Sequence, residues 1–497
     1  MASFNKPAGL PAGGLPHFFQ CFLQKPAMLP PAFNPYAVWL MIKQTPARRG
    51  PGILAFCLGI FCFCAVGAEP EPEAWQQVPA ILKRIVPPIF PNREFVITNF
   101  GAVGDGLADC TRAFAGAIDA CHQAGGGRVV VPAGTFLSGA IHLKSNVNLH
   151  LAREATIKFS TDPKLFLPVV FSRDVAEMMN YSPFIYAFEQ ENIAVTGEGT
   201  LDGQASQSVW PAWAKQAAPD ADKLTEMGDR EIPVAQRVMG EGHFIRPNFV
   251  EPVRCRNVLI EGVHLVDSPM WELHPLYCTN VTVRGVSISS HGKNNDGCDP
   301  DSCTDVLIKD CVFDTGDDCI AVKAGRDHDG RRVNLPCQNV VIQHCVFKDG
   351  HGGVTLGSET AGGLRQVFAE DCEFDSPNLD QAMRFKTNPA RGGFIKDIYI
   401  RHCRVNKARF GIYMTMRYAS SGTKDGDAIP VVCDIDIRDC SFATLTRQPV
   451  VIEGWSPTAQ ITDVTIANCQ FPADAAANTI TNAARIHIVG GETDGAK

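Results

Sequence analysis

Four short stretches hold the residues best suited to acid–base work: NND at 294–296, GDD at 316–318, GHG at 350–352 and RFK at 384–386. Together they offer three carboxylates (Asp296, Asp317, Asp318), one imidazole (His351) and two cations (Arg384, Lys386). The adjacent pair Asp317–Asp318 stands out, because the stretch TGDDCIAVKAG otherwise reads as a buried strand broken only by Lys323. Two neighbouring like charges repel, and each costs free energy to desolvate. Glycosidic bond hydrolysis has a use for such a set: one carboxyl group stays protonated to donate to the leaving oxygen, while another acts as base or nucleophile. Crowded carboxylates raise one another's pKa, which supplies the protonated member. Arg384 and Lys386, two apart on a strand, point to the same side, an arrangement suited to gripping a sugar carboxylate.

Each stretch taken singly is weak. Paired aspartates are commonly solvated turns, GHG serves equally as a flexible loop, and an Arg-x-Lys pair is more often a surface charge pair. NDGCDPDSCTD offers Asp296, Asp299 and Asp301 as oxygen ligands for calcium, but it lacks the terminal glutamate and the spacing of an EF-hand. No metal site and no cofactor is expected. The argument therefore rests on whether the fold brings the four stretches together.

A repeat answers that. Alternating apolar residues, a polar pair and a Gly or Cys recur in VLIEGVHL (258–265), VTVRGVSI (281–288), VLIKDCVF (306–313) and VVIQHCVF (340–347). They continue in VFAEDCEF (367–374), IYIRHCRV (398–405), IDIRDCSF (435–442) and VTIANCQF (464–471). Measured at the Gly or Cys, the steps are 23, 26, 34, 27, 31, 37 and 29 residues. No amphipathic helix lies between the strands, so βαβ units are excluded. Uneven steps argue against propeller blades, and hairpin turns of the Asn-Gly kind are missing, which argues against a sandwich. The pattern predicts an all-β chain, a right-handed parallel β-helix whose coils stack their inward residues. Cys311, Cys345, Cys372, Cys403, Cys440 and Cys469 would form one internal column, cysteine being small and readily buried. Residues 109–127 predict a helix capping the N-terminal end, with Phe114, Ile118 and Cys121 on one face and three glycines to stop it. The carboxylates, His351 and the cations each follow their strands by similar distances, so stacked coils would align them on one face. Adjacent strand residues face opposite ways; both Asp317 and Asp318 reach one cleft only if a bulge or turn intervenes.

The chain has 497 residues, a formal net charge of −8, 45% hydrophobic and 20% charged residues, the composition of a folded globular protein. Nucleic acid is a poor partner for that charge. Residues 1–68 carry Lys and Arg but no acidic residue, and end in the apolar run GILAFCLGIFCFCAVGA (52–68). Small residues Val66 and Ala68 suit signal cleavage before Glu69, with Met41 a candidate true start. The expected organisation is a leader over 1–68 and one catalytic β-helix domain over 69–497, interrupted by an insertion at 202–250. That implies export to a periplasm or the medium and no stable membrane insertion after cleavage. Beyond residue 68 there are 15 cysteines; an odd number in an exported chain means that not all are paired.

In order and spacing, NND, GDD, GHG and RFK resemble the four signatures of the polygalacturonases, glycoside hydrolase family 28, and FGAVGDG (100–106), GEGTLDG (197–203) and DSPMWELHP (267–275) resemble its bacterial, exo-type members. The resemblance spans roughly 90–420 and implies a pectin-degrading, inverting enzyme acting on an anionic polysaccharide, homogalacturonan. It implies Asp317 as general acid, Asp296 and Asp318 as the pair activating water, and His351 as a partner tuning Asp317. Arg384, Lys386, Asn294 and Tyr418 would bind substrate. Asn295 stands where the family has Thr, and Phe385 where it usually has Ile; neither is expected to matter much. A rhamnogalacturonan-directed hydrolase, a calcium-dependent pectate lyase and a non-catalytic polysaccharide-binding β-helix are the competing readings. Trp210 and Trp213 in the insertion would suit a wall closing one end of the cleft, hence exo action.

Overall fold

The computed structural model describes residues 72–419 and 426–490; the leader expected over 1–68 lies outside the described residues. Alternating apolar residues form short strands that pair in parallel, coil upon coil, into a right-handed parallel β-helix. One face is a 14-stranded sheet and the second an 11-stranded sheet. The third runs from a three-stranded piece (containing Ile141–His142, Ile185–Phe188 and Val250–Val253) through bridges at Leu273 and Cys298 into a six-stranded piece starting at Ile320–Val322. Period-two alternation sends one set of residues into a continuous core between the faces. Phe313, Phe347 and Phe374 stack there at centroid spacings of 5.7 and 4.6 Å.

The cysteines are inward, as expected. All 15 are free thiols and all but Cys433 are buried. The register corrects one detail of the repeat. Ile260, Val283 and Ile308 are paired neighbours, which aligns Gly262 and Gly285 with Asp310, not with Cys311. Val263 and Val286 take the inward place of the cysteines. The reason is backbone geometry: this corner needs a left-handed residue, and Gly262, Gly285, Asp310, His344, Asp371, His402, Asp439 and Asn468 all have φ between 53° and 78°. Glycine, asparagine and aspartate tolerate that conformation best.

Helix Thr111–Gln123 closes the N-terminal end, burying Ala113, Phe114, Ala117, Ile118 and Cys121. Each large apolar side chain so covered contributes about 1.5–3 kcal/mol. Among the described residues no helix is long and apolar enough to cross a membrane. Two helices, Trp210–Gln216 and Ala218–Asp229, project from the coils beside an antiparallel hairpin of Val170–Arg173 and Glu177–Asn180.

Candidate active site

The third face supplies the floor. Its outward row runs Glu251, His274, Asp299, Ala321, Thr355, Arg384, Tyr413, one residue per coil. The catalytic candidates stand at the turn leading onto this face. Asp296 follows strand Ser287–Ser290, Asp317 and Asp318 follow Val312–Thr315, and His351 follows Val346–Asp349. The chain bends at 316–319 before entering Ile320–Val322, so the two aspartates are not consecutive strand residues, and the alternation problem disappears.

The bend is built tightly. A side chain on Gly316 would meet the Gly292 carbonyl at 2.5 Å. The Thr315 hydroxyl donates to the Asp317 carbonyl at 2.9 Å, and the Gly297 amide donates to that of Asp318 at 2.9 Å. Asn295 staples the neighbouring turn, its amide donating to the Ser268 and Met270 carbonyls at 3.0 and 2.9 Å. A buried polar side chain satisfied in this way fixes where Asp296 sits.

The three carboxylates converge: one oxygen from each of Asp296, Asp317 and Asp318 lies within 4.8 Å of the others. Their surroundings differ. Asp318 is fully buried, with Oδ1 2.8 Å from Arg384 Nη1 and Oδ2 2.5 Å from Lys386 Nζ. Burial opposes its charge, but Lys386 and Arg384 outweigh it and hold the carboxyl well below the usual range. Asp296 is nearly as buried, and desolvation, with Asp317 and Asp318 adding to it against Lys323, pushes its carboxyl up to about 7. Asp317 is the accessible member. Its Oδ1 accepts from His351 Nδ1 at 2.9 Å and from the Asp318 amide at 3.0 Å. Oδ2 takes no hydrogen bond from the described residues. The bond to Asp317 raises the pKa of the half-exposed His351. Gly352 must be glycine: a Cβ there would lie 2.7 Å from Asp318 Oδ1 and 2.1 Å from the Thr355 hydroxyl.

Arg384 and Lys386 share a side of strand Gln381–Lys386, as expected, but their charges face Asp318. Tyr418 lies over both, its ring centroid 5.6 Å from Arg384 Cζ and 5.1 Å from Lys386 Nζ. Asn294 spends its Oδ1 on Arg246 Nη2 at 2.8 Å, leaving its amide NH₂ to donate. Phe385 is core packing. The carboxylate trio is a poor cation site because Arg384 and Lys386 hold both Asp318 oxygens and Lys323 holds Asp296 Oδ2, so much of its charge is already neutralised. Asp296, Asp299 and Asp301 do not form a calcium loop either: Asp296 and Asp299 face Lys323, while Asp301 pairs with Arg173. His291, Asp314 and Asp349 form a second, more exposed cluster away from the floor.

Asp296, Asp317, Lys386, Tyr418 and Trp271 line a cleft with about 810 Å³ of open volume. It ends abruptly on the N-terminal side. There the floor residues Glu251, His274 and Asp299 are completely covered. Hairpin residue Ser172 donates to Glu251 Oε2 at 2.8 Å, and Arg173 reaches Asp301 at 3.3 Å. Trp210 and Trp213 are not this wall. Trp210 packs into the core 5.9 Å from Phe166, with Trp213 edge-on to it, because burying so large a ring outweighs lining a wet cleft. Ala214, Ala218, Ala221 and Thr225 of the two helices face the cleft instead. Sequence reasoning missed the hairpin, Arg246, Glu359 and the contacts of Lys323; a lysine inside an otherwise apolar strand was the available signal.

The sequence matches Glycosyl hydrolases family 28 over residues 121–487. It is 31% identical over 388 residues to a probable polygalacturonase of Vitis vinifera, covering 75% of this chain and 73% of that one. To an exo-poly-alpha-D-galacturonosidase of Dickeya chrysanthemi it is 28% identical, covering 66% of this chain and 58% of that one. Its fold is similar to that of the hyperthermoactive exopolygalacturonase of Thermotoga maritima, with a TM-score of 0.78 at 38% identity over 83% of this chain and 96% of the other.

Proposed function

This chain belongs to glycosyl hydrolases family 28, and we propose that it releases galacturonate units from the ends of polygalacturonate chains with Asp317 as general acid. It is a pectin-degrading hydrolase of polygalacturonate. The observation that carries the assignment of roles is the unequal use of the carboxylate oxygens. Both Asp318 oxygens are held in ion pairs; Asp296 and Asp317 each keep one oxygen free, but Asp296 is buried with Oδ2 held by Lys323, while Asp317, its side chain 19% exposed, has no cation of Lys or Arg on it and is the member a leaving group can reach. Asp317 Oδ2 therefore protonates the glycosidic oxygen, and Asp296 with Asp318 orients and deprotonates the attacking water.

The trio's spacing, within 4.8 Å, is shorter than the ~6.5–9.5 Å common in inverting enzymes and nearer the ~5–5.5 Å of retaining ones. Occupancy supports inversion all the same. A carboxylate with both oxygens in ion pairs is a poor nucleophile, whereas Asp296 keeps one oxygen for water. Proton NMR of the first product settles this: β-galacturonate released from the α-linked polymer is expected, and α-galacturonate would refute it.

Closure of the N-terminal end by the Val170–Asn180 hairpin supports exo action, since a terminal sugar fits and a continuing chain does not. Substrate carboxylate recognition falls to Arg384 and Lys386, whose positive charge Asp318 only partly offsets, with Tyr418 as the stacking surface and the Asn294 amide as a donor. Product analysis on de-esterified polygalacturonate with chelator present tests the reading. Saturated mono- or disaccharide from the first minutes is expected; long oligomers would make it endo-acting, and unsaturated products a lyase. The apolar run at 52–68 supports export. A mature N-terminus at Glu69 is expected on sequencing the purified enzyme, and retention of the run would overturn it.

A further inference from the structure

Lys323 lies at the bottom of the cleft, its side chain 3% exposed, directly after strand Ile320–Val322, which follows Asp317 and Asp318. Its ammonium is 3.1 Å from Asp296 Oδ2, 3.5 Å from Asp299 Oδ2 and 3.4 Å from Glu359 Oε2. The Trp271 ring covers it, with the centroid 4.6 Å from Nζ. A lysine buried among three carboxylates costs several kcal/mol to desolvate, and nothing in the core needs it, because the inward positions of the strand before it are apolar.

The groups around it decide what it does. Glu359 is held well below the usual carboxylate range, burial being outweighed by Lys323 and then Arg391. Burial, with Asp296 adding to it, pushes Asp299 far above that range. Asp296 also faces Asp317, Asp318, Lys386 and, from the wall, Arg246; Asp174 of the hairpin and Arg326 stand farther off. Lys386 is spent on Asp318, and Arg246 on the Pro269 and Lys293 carbonyls and Asn294. Among the described residues, Lys323 is thus the one cation in hydrogen-bond contact with Asp296.

We infer that Lys323 is a positioning residue for the catalytic base: from its cage of Asp299, Glu359 and Trp271, its ammonium holds Asp296 Oδ2 and favours the ionised carboxylate against burial, leaving the other oxygen for the attacking water. This rests on the proposed role of Asp296. With its side chain 3% exposed, Lys323 acts through Asp296, extending the ionised range of the base below the pH that burial alone would allow. It also explains the lysine after an otherwise apolar strand.

Carbon-13 NMR titration of aspartate carboxyls in the ligand-free, full-length protein tests this without relying on activity, the Asp296 signal being identified by its loss in Asp296→Asn. In Lys323→Met the Asp296 midpoint is expected to rise by about one pH unit or more, and the acid limb of kcat/KM with it, a roughly tenfold loss below the limb. KM should barely change, and Lys323→Arg should restore both midpoints. Glu359→Gln is expected to move the midpoint the opposite way, because it removes a competitor for the same ammonium. It also serves if Lys323→Met does not fold. An Asp296 midpoint unmoved in either variant, with kcat falling equally at all pH values, would overturn the inference and leave Lys323 a structural ion pair. If the midpoints move as expected but polygalacturonate is not hydrolysed, the coupling stands and the reading of the reaction falls.

Discussion

Asp317 and Asp318 are neighbours in sequence, yet the structure assigns them opposite dependencies, and replacing each by asparagine separates them. Asp318 is fully buried and neutralises two cations, Arg384 at 12% and Lys386 at 7% side-chain exposure. Asp318→Asn keeps the shape but leaves those cations facing an amide whose NH₂ repels them. Removing one partner of a buried ion pair costs about 3–5 kcal/mol, and two cations are stranded here, so the loss should fall at the upper end. Asp317→Asn keeps an oxygen to accept from His351 and the Asp318 amide and gives up only the charge facing the half-exposed His351, worth no more than about 1 kcal/mol. Both should lose activity, by about 10²–10⁴-fold for loss of the acid. Urea unfolding followed by circular dichroism, alongside initial rates, reads both quantities. The expected pattern is Asp317→Asn inactive and as stable as the parent, Asp318→Asn inactive and several kcal/mol weaker. Equal stability of the two variants would refute the clamp and the division of roles built on it.

Stability should also follow pH through Asp296. Its folded-state pKa is raised to about 7, so its contribution is fully present below the ordinary aspartate value near 4 and is lost as pH rises through about 7. Asp296→Asn should therefore gain on the parent by about 2–4 kcal/mol at pH 8 and not at pH 4, as read from melting temperatures. Asp318 works in the opposite direction: its lowered pKa gives stability above the ordinary aspartate value that fades only in strong acid. Gly352→Ala places a methyl 2.7 Å from Asp318 Oδ1 and should cost about 1–3 kcal/mol together with at least tenfold in kcat, by the assays above. Tyr418→Ala should raise KM for oligogalacturonates by about tenfold, as expected for one lost stacking surface, with a smaller change in kcat from steady-state rates. Chelator should leave the activity unchanged, since cations of the chain already neutralise much of the trio's charge.

The architecture was legible because strands with period-two alternation and no intervening helices allow little else, and the four motifs kept their register on successive coils. Three things were not legible. The apparent equivalence of Gly262 with Cys311 failed because a sequence pattern scores residue type, while the corner selects for left-handed φ. The wall was sought in Trp210 and Trp213, but large aromatic rings go to the core, and the floor is covered by a hairpin, 170–180, with no motif of its own. Spacing predicts that Arg384 and Lys386 share a side; that both lie against Asp318 depends on side-chain reach across two coils, which spacing does not encode. Lys323 was visible as an oddity in its strand, and its three carboxylates come from segments spread over 296–359.

The role of Asp317 as acid is the central claim, and a comparison of leaving groups tests it most directly. Rates for Asp317→Ala and Asp296→Ala would be measured on digalacturonate and on an aryl galacturonide whose phenolate departs without a proton. The account predicts that Asp317→Ala loses about 10²–10⁴-fold on the disaccharide but far less on the aryl substrate, while Asp296→Ala loses comparably on both. Equal losses for Asp317→Ala on the two substrates would contradict it.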